Sequence, residues 1–152
     1  MEKAANNAGE EAKVEIPPPI IVAQEKSEME KLTIPAERER NIGERKNGYD
    51  YSIVVINYKP GLKFGLGIKK VYNDIFVIKK DENSLVTGLF SVADRIIDVD
   101  GTLVKDAQMF EKLVQLSLNK QRQASVLVER PLTFDALQAV IQFVKKGQYH
   151  HL

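Results

Sequence analysis

From residue 49 onward, short β-branched or aromatic runs alternate with turn residues; before it, apolar positions are sparse. Tyr51-Ser52-Ile53-Val54-Val55-Ile56-Asn57-Tyr58 predicts a strand, ended by Pro60-Gly61. Gly65-Leu66-Gly67 precedes a second short strand over 68–72, and Asn73-Asp74 turns the chain into a third, Ile75-Phe76-Val77-Ile78. Ser84 is placed to cap a short helix over 85–89. A strand is predicted over 94–99, turning at Asp100-Gly101. Apolar side chains at 109, 110, 113, 114, 116 and 118 have helical spacing and a broad buried face. A last strand covers 124–129 and stops at Pro131. Thr133 then caps a final helix to about residue 146, with Leu137, Val140, Ile141 and Val144 on one face.

This pattern divides the chain into an N-terminal tail (1–48), a β-rich domain (49–131) and a C-terminal amphipathic helix with its own tail (132–152). The first segment carries Pro17-Pro18-Pro19, the charge run Glu37-Arg38-Glu39-Arg40 and one apolar cluster, Ile20-Ile21-Val22. Too little apolar area is available there to offset the entropy of ordering, so disorder is expected, with polyproline II over the prolines. The 22 basic and 21 acidic residues nearly cancel, so no strong field points to nucleic acid or a membrane surface. Cysteine is absent, which excludes disulfides and thiolate chemistry. With no apolar run of membrane-spanning length and no signal-peptide pattern, a soluble, cytoplasmic protein is expected, brought to membranes only through its partners.

One motif suggests catalysis. Asp98-Val99-Asp100-Gly101-Thr102 resembles the nucleophile loop of haloacid-dehalogenase-type phosphatases. That chemistry needs further carboxylates and a cation from later strands of a parallel sheet to hold Mg²⁺ and phosphate, and the acids after Val104 form no such pair. A tight turn at Asp100-Gly101 is the simpler reading. The glycine-rich stretch 61–70 has neither dinucleotide-loop nor P-loop spacing. The only histidines, His150 and His151, lie outside the domain, so a nucleophile would lack a base within it. No metal or cofactor is expected, and binding is the better class.

Gly65-Leu66-Gly67-Ile68 sits where a strand break meets a strand, so consecutive backbone N–H groups there can form a nest for a carboxylate. An extended peptide could pair with the following strand and place its terminal carboxylate in that nest. Residues 52–130 resemble a PDZ domain in order and spacing: "GLGI" (65–68), "SLVTGLFSVADRIIDVDGTLV" (84–104), "AQMFEKLVQL" (107–116) and "ASVLVERP" (124–131). "KPGLKFGLGIKK" and "VERP" are most similar to nematode members of that family. The resemblance implies a β-rich α+β fold: a partly open antiparallel β-barrel or sandwich of five to six strands capped by two helices, here with an appended C-terminal helix. It implies that N–H groups of Leu66, Gly67 and Ile68, with Gly65 and Lys63 in the same loop, hold a peptide carboxylate. Leu66, Ile68, Leu113 and Leu116 would line the pocket for the last side chain. Met109 would face the third-last peptide residue, where many family members carry histidine; methionine there implies a hydrophobic-x-hydrophobic C-terminus.

Lys70 departs from the family by standing where an apolar side chain usually enters the groove, unless a local bulge turns Val71 inward, and Ala93 replaces the usual glycine before Asp94-Arg95. The expectation is a non-enzymatic scaffold or adaptor that binds C-terminal peptides of other proteins, membrane-protein tails among them. The alternative is a structural or assembly protein, its groove covered by its own C-terminal segment or its copies associated through helix 133–146. A phosphatase is a distant third.

Overall fold

The computed structural model describes residues 33–152. The proline run and the Ile20-Ile21-Val22 cluster lie outside the described residues. The β-branched run at the start of the domain forms β1 (Tyr49–Asn57), in which Tyr51, Val54 and Ile56 are buried. It is followed by β2 (Leu66–Val71), β3 (Asp74–Lys80), β4 (Arg95–Val99) and the two-residue β5 (Thr102–Leu103). The long helix α2 (Ala107–Gln121) precedes β6 (Gln123–Pro131), and α3 (Phe134–Val144) leads into β7 (Gln148–His151). A further helix, α1 (Ala36–Ile42), comes before β1. The strands form one open antiparallel sheet in the order β1-β6-β4-β3-β2-β7, with β5 paired to β4. This is the α+β class that the resemblance implies, and one strand more than expected.

The main core lies between the sheet and α2. Ile56, Leu66, Ile68, Ile75, Ile96, Phe110 and Val114 are all but fully buried there. Phe64 meets Phe110 edge-on at 5.6 Å between ring centroids. Burying a side chain of this size contributes roughly 1.5–3 kcal/mol. Asp106 caps α2 by accepting from the Met109 N–H at 2.7 Å. Thr133 caps α3 as its position predicts, accepting from the Ala136 N–H at 3.0 Å.

The helix expected over 85–89 is a run of turns. Ser84 does not cap it: its hydroxyl donates to the Asp81 carbonyl, its N–H donates to the Thr87 hydroxyl, and Gly88 takes a positive φ of 78°. Local side-chain bonds here compete successfully with a helix. Packing against the β-rich domain also starts before Tyr49. Arg38 of α1 is buried against Asp98 of β4, and Ile42 packs with Tyr51, Ile97 and Leu127. The boundary expected at residue 48 therefore falls near Thr33. Most of the expected α3 stripe packs in cis: Val140 is buried, and Leu137 and Val144, with Phe143 rather than Ile141, are partly buried against Val71, Phe76 and Ala93. The Phe76 and Phe143 rings cross at 5.8 Å. No helix among the described residues is long and apolar enough to cross a membrane.

Candidate functional site

Strand β2 has β3 on one edge; its other edge faces the direction in which the sheet could grow. That edge is occupied by the chain's own residues. β7 pairs antiparallel with it, Lys70 opposite Gln148, Lys69 opposite Tyr149, Ile68 opposite His150 and Gly67 opposite His151. Leu152 continues the ladder: its N–H donates to the Leu66 carbonyl at 2.7 Å, and its carbonyl accepts from the Gly65 N–H at 3.2 Å. Its half-buried side chain packs on the main core, as do Met109 and Leu113 of α2. The strand alternation sends His150 and Leu152 inward, both half-buried, and leaves Tyr149 and His151 exposed on the opposite face.

The sequence requires this loop to be glycine-rich for two different reasons. Gly65 has φ of 89°, and a Cβ there would lie 2.2 Å from the Ser84 Cβ. Gly67 is in ordinary extended backbone, but a Cβ on it would come within 2.7 Å of the Tyr149 hydroxyl and 2.9 Å of the Lys79 Cβ. The first glycine permits the loop; the second lets Tyr149 lie against the strand.

The expected donors were Leu66, Gly67 and Ile68. In the chain's own tail, the backbone contacts to Leu152 are made by Gly65 and Leu66, and Gly67 and Ile68 pair with His151 and His150. Leu66 and Ile68 are both 0% exposed, and the N–H that meets Leu152 belongs to Gly65, just ahead of them, while Leu66 accepts through its carbonyl. Lys70 is half-exposed at the far end of the paired segment, and a register shift at Gly67/Ile68 relative to β3 accompanies burial of Val71 on the α3 side. Lys63 is 64% exposed at its side chain and reaches Asp81 at 3.4 Å rather than Leu152. Leu116 shares a helix face with Met109 and Leu113 but is 55% exposed. Ala93 takes φ of 81°, in the left-handed region that favours glycine.

Sequence reasoning did not find Asp81. It lies at the end of β3, and its side chain accepts from His151 Nε2 at 2.8 Å. Its own N–H donates to the Gly65 carbonyl at 2.9 Å, which ties it to the loop. The His151 hydrogen bond, and after it Lys63, hold the Asp81 carboxyl below its ordinary pKa. Nothing in the local sequence marks it, because its partners lie 18 residues before it (Lys63) and 70 residues after it (His151).

Both carboxylates of the DxDGT stretch have structural partners. Asp98 is fully buried, accepting from Arg38 Nε at 3.1 Å and Asn41 Nδ2 at 2.8 Å. Asp100 accepts from the Ser125 N–H and hydroxyl at 2.9 and 2.8 Å and from Ser117. Asp100 and Gly101 both take positive φ, 50° and 92°, as a tight hairpin turn requires. Among the described residues no group of His, Cys, Asp and Glu is arranged to hold a metal ion. Searches of family models and of curated proteins found no match to this chain.

Proposed function

We propose that this chain is a non-enzymatic peptide-binding module of the PDZ type. It captures C-terminal peptides by adding them as a strand to β2, beside α2, and serves as an intracellular scaffold or adaptor. One observation carries this reading: residues 148–152 already lie on β2 as an antiparallel strand, with Leu152 against the glycine loop and the main core. A groove that seats one extended segment in this way has the backbone edge and the apolar floor that β-augmentation uses. The commitment of Asp98 and Asp100 to structural hydrogen bonds argues against the phosphatase reading.

The same observation favours a second reading, in which the tail is a permanent part of the sheet and the role is structural. The two separate on titration. The full chain and a full-length Leu152→Asp variant are each titrated with C-terminal peptides of the form hydrophobic-x-hydrophobic, as free acids and as amides. The module reading expects binding that strengthens in the variant and weakens at least tenfold on amidation, since a charge-assisted hydrogen bond is worth about 1.5–3 kcal/mol. No binding by either protein, with the fold intact, leaves the structural reading.

A further inference from the structure

We propose that Asp81 is the specificity-determining residue of this groove, and that it favours C-terminal peptides with an N–H donor, above all an imidazole, at the second-last position and a tyrosine at the fourth-last. The inference rests on the peptide-binding reading above and uses the chain's own residues 149–152 as the template for the ligand.

The pleat fixes the geometry. A peptide that pairs with β2 in the register of the tail puts its second-last residue opposite Gly67 and its fourth-last opposite Lys69, both on the outer face. There the tail forms a relay. A carboxylate only accepts, so His151 Nε2 must carry the proton that meets Asp81 Oδ2 at 2.8 Å. In the neutral imidazole Nδ1 is then left to accept, and the Tyr149 hydroxyl stands 2.8 Å from it. The two rings are edge-on at 6.0 Å. The Tyr149 ring fits because Gly67 has no side chain.

Bulk charge does not explain this arrangement. Lys63 shares the Asp81 carboxylate, and Lys79 lies opposite Gly67 in the β2–β3 register, so the surroundings are rich in cations. The selected feature is therefore a directed donor, which the fixed carboxylate rewards. Asp81 is well placed to read it, with a side chain only 11% exposed and a backbone N–H bonded to the loop that receives the last residue.

The test is a double-mutant cycle in full-length protein carrying Leu152→Asp, which unseats the tail without shortening the chain. The ligand is a labelled peptide of residues 146–152, with and without His151→Ala; the protein carries Asp81 or Asp81→Ala. The peptide substitution should weaken binding about fivefold with Asp81 present and less than twofold with Asp81→Ala. Equal weakening in both proteins overturns the assignment of Asp81. Failure of every peptide to bind a correctly folded protein overturns the peptide-binding reading itself. A second measurement needs no Leu152 variant. In the otherwise unaltered full chain, Asp81→Ala should speed hydrogen exchange at the Leu152 amide several-fold; an unchanged rate also overturns the assignment.

Discussion

Asp98 and Asp100 look alike in sequence, but Asp100 bonds Ser117 and Ser125 at an exposed turn while Asp98 holds an arginine in the interior. Asp98 is 0% exposed and its Arg38 partner has a side chain only 10% exposed. Removing one member of such a pair leaves a buried charge without its counter-ion, at a cost of about 3–5 kcal/mol. Arg38→Ala should therefore lower the denaturant midpoint strongly, and Asp98→Asn somewhat less, because an amide can still accept from Asn41. A double-mutant cycle over the pair should be far from additive; additivity would mean that α1 is not anchored through this bond. Gly65 is the second sensitive position. Gly65→Ala forces a side chain into positive φ and against Ser84, on the order of 2–5 kcal/mol together. Adding Ser84→Gly should recover the steric part and leave the backbone part, which equilibrium unfolding of the two variants would show.

At the scale of elements, the strands and the two long helices were legible because each carries its own period and its own stop signal. Tyr51 to Ile56, the 109–118 spacing and the Thr133 cap each state their structure locally. What was not legible depends on contacts between distant residues. Within Glu37-Arg38-Glu39-Arg40, a run typical of a solvated tail, one arginine finds a carboxylate 60 residues away. The tail Gln148–His151 has no β-branched pattern and becomes a strand only because the edge of β2 is open to it. Where within Gly65–Ile68 the tail is met depends on a pleat phase that a glycine-rich stretch does not specify. On the proposed reading, this tail is a mixed ligand. Leu152 suits an apolar pocket, but the other inward residue is His150, in the position expected to face Met109. His150→Val should exchange a half-buried imidazole for apolar contact and tighten tail docking by roughly 1 kcal/mol. Slower hydrogen exchange at Leu152 is the readout; faster exchange would mean that His150 has a polar partner worth more than the apolar contact.

At the scale of the whole molecule, buried charge and the covered groove each set a measurable property. Burial alone would raise the Glu129 carboxyl, but hydrogen bonds from Arg95 and Tyr51, with the charges of Arg95 and Lys46, outweigh it and hold its pKa below the ordinary 4.5. A carboxyl depressed in the folded state contributes stability that is complete above its unfolded pKa and is lost as pH falls through the folded value. Stability should therefore be level down to about pH 5 and decline below it. Glu129→Gln should be less stable at neutral pH and show a shallower acid limb.

The covered groove sets the scale of the second property. On the proposed reading, a segment tethered by three residues, Lys145 to Gly147, would compete with an incoming peptide at an effective concentration on the order of millimolar. If the tail binds its groove with the roughly micromolar strength usual for short peptide ligands, about −8 kcal/mol, the apparent affinity for an external peptide falls by about 10²–10³-fold. Leu152→Asp should restore most of that factor and lower the melting temperature, because the docked tail also stabilises the fold by mass action. Calorimetry of one peptide against the two full-length proteins measures the factor directly. Equal affinities would mean that the tail leaves the groove at no cost, and residues 148–152 would then have no part in gating it.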